Sequence, residues 1–187
     1  LVVGAALIAA LGVVDDVLGI DPPVKLLAQI ACACVPVSAG LTIDHITLPV
    51  LGVGDLGVFQ YPVSVLWFVA LVNMINFIDG MDGLAAGVAG IGLTTFAILA
   101  ASLDRAVPAI IAASVAGAAI GFLAHNFHPA KIFMGDAGSM LLGFLIAGVA
   151  VSGVMKSAAA LAIGLPLIVL AIPILDTSFV VLKRIKH

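Results

Sequence analysis

Apolar runs of about twenty residues, broken by short polar stretches, make up most of this 187-residue chain. A hydrocarbon layer about 30 Å thick takes roughly 20 apolar residues per helical crossing. Inside lipid the backbone must satisfy its own polar groups, so runs of this kind fold as helices. Hydropathy and helix breakers place seven of them. The first ends near Val14; the next run from Val24 to Leu41, Pro62 to Ile78, Leu84 to Leu103, Val107 to Leu123, Ser139 to Val154 and Ala158 to Leu182. Pro166 and Pro173 predict a kinked or broken last helix. Charged residues are only 9% of the chain, against about 25% in a soluble domain. Polar groups are too few to cover a globular surface, so lipid is much of the solvent. The expected fold is all-α: a polytopic membrane bundle of about seven spans, one integral membrane domain over residues 1–187.

One stretch differs. "LTIDHITLPVLGVGDLGVFQYP" alternates polar and apolar residues and carries several Gly and Pro, which predicts a short extracytoplasmic extended or hairpin segment near 42–60. Cys32 and Cys34 stand two apart in a helical run and point to different faces, so they read as packing residues and not as a disulfide. The chain opens at Leu1 inside an apolar run and stops at "LKRIKH", with no signal-peptide pattern. The expectation is a fragment lacking the first spans and the C-terminal region. If the crossings alternate, the polar stretches 15–23, 76–83, 124–138 and 183–187 share one side. That side holds Lys25, Lys131, Lys183, Arg184 and Lys186 against Arg105 and Lys156 opposite, which makes it cytoplasmic by the positive-inside tendency. Asp15, Asp16, Asp21, Asp79, Asp82, Asp136 and Asp176 gather on it too.

Three constellations lie on that side. In "GVVDDVLGIDPPVKLLAQ", Asp15 and Asp16 directly follow an apolar run and Lys25 starts the next. Adjacent carboxylates near lipid repel each other unless a cation or proton compensates; a solvated helix end is the plain alternative. In "NMINFIDGMDGLAAG", Asn73, Asn76 and Asp79 recur every three residues and share a rough helix face, while Gly80 and Gly83 permit a tight turn. A capped hairpin linker would use the same residue types. In "HNFHPAKIFMGDAGSMLLG", Asn126 and Lys131 precede Asp136, which either caps the following helix or holds a divalent cation carrying phosphates. His125 and His128 lack the further ligands of a zinc site. No G-x-S-x-G elbow or P-loop is present. Mg²⁺-assisted phosphate chemistry at the membrane face and an ion-coupled transporter both remain open on this inventory.

The ordered set "DD…NxxNxxDGxDGLA…HNxxPAKIFMGDAGS" resembles the polyprenyl-phosphate N-acetylhexosamine-1-phosphate transferases of glycosyltransferase family 4, over nearly the whole chain. The resemblance implies a catalytic membrane domain that moves a sugar-1-phosphate from a UDP-N-acetylhexosamine to polyprenyl phosphate and releases UMP. It implies Mg²⁺, with Mn²⁺ as a substitute, in a cytoplasmic cleft of the plasma membrane, and an interhelical groove for the lipid. Asp136 matches the main metal ligand, and Asn76 a second metal-side ligand. Asp15 and Asp16 match a pair of which one deprotonates or positions the lipid phosphate, and a covalent aspartyl-phosphate route stays open. Asp79, Asp82 and Asn126 match the nucleotide and phosphate cleft, Lys25 matches a basic residue near the phosphates, and Lys131 joins them as a substrate-binding candidate. The branch using UDP-MurNAc-pentapeptide has a lysine three positions after the acid pair, where this chain has Gly19. That tilts the expectation toward a UDP-GlcNAc-type donor for cell-wall or surface polysaccharide, with phospho-MurNAc-pentapeptide transfer as the alternative. A second copy of the chain is kept as a candidate partner, and nucleic acid is not expected. A histidine-rich loop that contributes to sugar-nucleotide recognition is expected beyond His187.

Overall fold

The computed structural model describes residues 1–48 and 52–154. The seventh run, with Lys156, Asp176 and the terminal basic cluster, lies outside the described residues. In order come α1 (Val2–Leu18), α2 (Pro22–Ser38), strands β1 (His45–Leu48) and β2 (Gly52–Asp55), a 3-10 turn (Gly57–Phe59), α3 (Gln60–Ile78), α4 (Leu84–Ser102), α5 (Ala106–Asn126) and α6 (Gly135–Val149), which continues as a π turn (Ala150–Val154). Four helical segments are long and apolar enough to cross a bilayer: Gly57–Ile78, Leu84–Ser102, Ala106–Asn126 and Gly135–Ser152. The protein is a multi-pass membrane bundle.

Among the boundaries that differ from the expectation, three move chemistry onto a helix. α1 continues past Val14 to Leu18, so Asp15 and Asp16 sit in its last turns and do not follow it. α5 ends at Asn126 and not Leu123. α6 starts at Gly135 and not Ser139, so Asp136 lies in its first turn. Hydropathy windows stop where apolar residues stop, but polar side chains stay helical when tertiary partners satisfy them. Pro22 and Pro23 open α2, where a missing N–H is harmless. Gly83 takes φ 73°, a left-handed value few other residues tolerate, and starts α4.

β1 and β2 pair antiparallel, His45 opposite Asp55 and Leu48 opposite Gly52. This pair follows the C-terminal end of α2 and is tied to α3 by a hydrogen bond from the Ile43 backbone N–H to Ser64 Oγ at 2.8 Å. α6 is central, packing on α1, α3, α4 and α5. Without a hydrophobic drive between helices in lipid, close approach of small residues supplies dispersion contact. Gly143 shows this: an added Cβ would meet the Val72 Cα at 2.7 Å, so only glycine lets α3 and α6 approach this closely. Phe68 packs against Phe144 with ring centres 4.9 Å apart and planes tilted by 50°, and Trp67 Nε1 donates to the Ala147 carbonyl at 3.3 Å. Large apolar side chains such as Val17, Leu27, Leu66, Ile98 and Ile110 remain exposed, as a lipid-facing surface requires.

Candidate active site

The site forms at the end of the bundle where α1, α3 and α5 finish and α2, α4 and α6 begin. Gly19 ends α1, its N–H bonding the Asp15 carbonyl at 2.9 Å, and the chain turns directly into α2. That reversal brings Lys25, near the start of α2, back beside Asp15. Lys25 Nζ lies 2.6 Å from Asp15 Oδ2 and 2.7 Å from Asp136 Oδ2. The other Asp136 oxygen accepts from Asn76 Nδ2 at 2.5 Å, and the same amide lies 2.9 Å from Ser139 Oγ. Ser139 is fully buried and donates to the Gly135 carbonyl at 2.8 Å, which fixes its lone pairs toward Asn76. Four helices thus converge through charge-assisted hydrogen bonds, the shorter and stronger kind.

The acid pair divides its work. Asp15 Oδ1 accepts from the Ile20 N–H at 2.7 Å, so both its oxygens are engaged. Asp16 is exposed and reaches across to α6: its two oxygens accept the N–H groups of Asp136 at 2.8 Å and Ala137 at 3.0 Å. A helix start carries unpaired N–H groups and partial positive charge, which a carboxylate satisfies. Asp16 therefore caps α6 from another helix. Of the two roles left open for Asp136, the cap of its own helix is not the one it takes here: its side chain makes no cap bond and points to Lys25 and Asn76. Asp79, just past α3, has its carboxyl pushed up to about 6, first by burial and then by the charges of Asp136 and Asp16, against a hydrogen bond from the Gly135 backbone.

A second set of contacts joins the two loops beside this cluster. Asn126, 3% exposed, accepts the Gly83 N–H at 3.0 Å and donates to the Ile132 carbonyl at 2.9 Å. Asp82 accepts the Ala130 N–H at 3.1 Å and lies 3.0 Å from His128 Nδ1; these two contacts, in that order, hold its carboxyl below the usual range. Lys131 is tied by its backbone to the His125 carbonyl at 2.9 Å, and its side chain is exposed. Of the expected residues, the structure gathers Asp15, Asp16, Lys25, Asn76, Asp79 and Asp136. Asp82 and Asn126 form a clasp between the 79–83 turn and the 127–134 loop, and Lys131 lies on that loop.

Sequence reasoning missed Gly12, Gln29 and the role of Ser139. An added Cβ on Gly12 would press on the backbone of Asp136 and Ala137, so this glycine lets α1 lie against the first turn of α6. A lone glycine inside a helix one turn before an acid pair is a weak sign of such packing. Gln29 is buried one turn after Lys25 and accepts from Asn73 Nδ2 at 2.6 Å. Asn73 also donates to the Val69 carbonyl, so it fastens α2 to α3 and stays out of the carboxylate cluster.

Among the described residues, no three His, Cys, Asp or Glu side chains converge as a metal cage. A hard cation such as Mg²⁺ does not need one; it takes one or two carboxylates and fills its remaining positions with water and phosphate oxygens. Asp15 and Asp136 fit that mode, since one small cation, the Lys25 ammonium, already bridges them. Asn76 presents its amide nitrogen to Asp136, so its oxygen becomes a ligand only if the amide turns over.

The model of glycosyl transferase family 4 matches residues 1–154. A probable undecaprenyl-phosphate N-acetylglucosaminyl 1-phosphate transferase of Bacillus subtilis is 44% identical over 186 residues, covering 99% of this chain and 52% of that relative. A decaprenyl-phosphate N-acetylglucosaminephosphotransferase of Mycolicibacterium smegmatis is 36% identical over 156 residues, 78% of this chain and 38% of the relative. A phospho-N-acetylmuramoyl-pentapeptide-transferase of Halalkalibacterium halodurans is 34% identical over 154 residues, 75% of this chain and 47% of the relative. The chain thus spans about half the length or less of these relatives. With the model matched across every described helix, the chain belongs to glycosyl transferase family 4.

Proposed function

We propose that this chain carries the transfer site of a membrane enzyme that moves N-acetylhexosamine-1-phosphate, with GlcNAc as the favoured sugar, from a UDP-sugar to polyprenyl phosphate and releases UMP. The observation that carries the reading is the joining of Asp15, Lys25, Asn76 and Asp136 from four helices at one bundle end, through contacts of 2.5–2.7 Å. The names of the two N-acetylglucosamine-1-phosphate transferase relatives support the transferred group and the polyprenyl-phosphate acceptor. Excess Lys and Arg on this side supports a cytoplasmic active site, and Ala158 to Leu182 supplies apolar length for a further span.

An oxygen of the lipid phosphate would form a bond to the β-phosphorus while that phosphorus releases the bridging oxygen to UMP. Both partners are anionic, so positioning and charge compensation carry the catalysis. When bound, Mg²⁺ would supply charge compensation for the pyrophosphate and the departing UMP. Lys25 adds a flexible ammonium to the same task. Asn76, steadied by Ser139, orients Asp136. Asp15, its two oxygens held by Lys25 and the Ile20 N–H, lies inside the cluster, whereas exposed Asp16 steadies the first turn of α6, and so Asp136, through both of its oxygens.

The direct test supplies UDP-GlcNAc labelled in the uridine, polyprenyl phosphate and Mg²⁺ to the full-length protein and measures UMP. Release that needs all three, and that Asp136→Asn abolishes without lowering expression, supports the reading. No UMP from any UDP-sugar, with ion-coupled uptake in its place, would return the site to a transporter. UMP released only from UDP-MurNAc-pentapeptide would favour the activity named for the Halalkalibacterium halodurans relative.

A further inference from the structure

The end of α2 that carries Lys25 is thinly packed. Residues 21–24, 26 and 27 are exposed, Lys25 and Ala28 are half-buried, and no side chain caps the helix. Gln29, 1% exposed, is the first buried residue of α2, and Cys32, Ala33, Pro36 and Val37 continue the buried face behind it. What meets Gln29 is a side chain of α3: its Oε1 accepts from Asn73 Nδ2 at 2.6 Å. The same nitrogen donates to the Val69 carbonyl at 2.8 Å. A carbonyl only accepts, so the Asn73 amide is turned nitrogen-first and Gln29 must offer its oxygen. Lys25 lies four residues before Gln29, and Asn76 three after Asn73. Both therefore stand about one turn, roughly 5–6 Å, farther along their helices toward the bundle end that holds the site. A single polar bond in a lipid-solvated bundle adds little to global stability, because separated helices find other partners. Its effect on position is larger. An amide pair fixes distance and direction together, whereas a flexible methionine in the same space packs without holding either.

We propose that Gln29 is a positioning residue: through Asn73 it sets the spacing and register of the two helix ends that carry Lys25 and Asn76. The role concerns where those residues are delivered, whatever partners their side chains take during turnover. Its catalytic consequence rests on the functional reading above.

The test begins with a measurement that needs no turnover. Spin labels at Val24→Cys and Phe77→Cys, exposed neighbours of Lys25 and Asn76, report the separation of the two ends by pulsed EPR in full-length protein without other cysteines. UMP release from UDP-GlcNAc then gives kcat and KM. Gln29→Met should broaden or shift the distance distribution and lower Tm by only a few degrees. It should lower kcat about ten- to a hundredfold while KM changes less than about threefold, as misplaced groups rather than lost ground-state contacts require. Gln29→Asn, one methylene too short, should do the same. Adding Asn73→Gln returns that methylene from the other helix and should restore both distance and kcat. This reciprocal pair decides if Gln29→Met does not fold. An unchanged distance distribution, an unchanged kcat, or a loss that the double variant fails to recover overturns the proposal and leaves the functional reading standing. A wild type that releases no UMP from any UDP-sugar overturns the functional reading, and the distance measurement then decides the placement by itself.

Discussion

Replacing Gly12 by alanine tests the joint between α1 and α6 on which the cluster depends. The new Cβ would lie 2.6 Å from the Ala137 N and 2.7 Å from the Asp136 O, both backbone atoms that no side-chain rotation can move. Comfortable contact begins near about 3.5 Å, so the two helices must part by close to about 1 Å. The hydrogen bonds from Asp136 and Ala137 to Asp16, now 2.8 and 3.0 Å, would then stretch beyond hydrogen-bond range. Overpacking of this kind costs about 1–3 kcal/mol and a lost helix cap about 1 kcal/mol. Alanine returns up to about 1 kcal/mol of helix propensity, leaving a net loss of roughly 1–3 kcal/mol. For a domain of this size that is a fall of about 4–8 °C in Tm at the middle of the range. A displacement of about 1 Å between Asp15 and Asp136 should also lower turnover by roughly a hundredfold. The assay is thermal unfolding in detergent beside UMP release, with Gly121→Ala as the control, because a Cβ there meets nothing within 4 Å. If Gly12→Ala matches Gly121→Ala in both measurements, the close approach of α1 to α6 does not hold the site together.

Two further outcomes follow from the contacts. Folded Asp79 keeps its proton up to about 6 whereas the unfolded carboxyl releases it near 3.8, so the folded state binds more protons in that window and stability falls as pH rises through it. Asp79→Asn should remove this contribution, narrowing the difference in Tm between pH 4.5 and 6.5; an identical pH profile in the two proteins would refute the shift. Asn126→Ala leaves the half-buried Gly83 N–H and the carbonyl of exposed Ile132 without their side-chain partner, and because water can reach the second the cost is about 1 kcal/mol in total. It should lower Tm and expose the 127–134 loop to faster proteolysis, and wild-type protection would remove Asn126 from the clasp.

Much of the site was legible because its residue types are out of place in an apolar chain. Asp15, Asp16, Lys25, Asn76, Asp79 and Asp136 stand out at any hydropathy setting, and ordered motifs tied them to a family. Their division of labour was not legible. Asp15 and Asp16 are neighbours in the chain, yet one is locked by Lys25 and Ile20 while the other caps α6, 120 positions away. Asn73 and Asn76 share a helix face and part ways, because α2 offers Gln29 to the first and α6 offers Asp136 to the second. Asp82 and Asn126 read as cleft residues, and their observed partners are a histidine and backbone groups of the adjoining loops.

Sequence by itself determined the solvent and the helical class, and it placed the acids in the polar stretches between apolar runs, since apolar length and charge content depend only on composition and order. It also determined that a glycine-bearing turn joins α3 to α4. Only the tertiary structure decided which carboxylate faces which cation. That depends on how closely helices approach, at Gly12 and Gly143, and on which polar groups the approach leaves to satisfy one another. In a lipid-solvated bundle those pairings come from distant parts of the chain, such as Lys25 with Asp136 across 111 positions, and no local pattern encodes them.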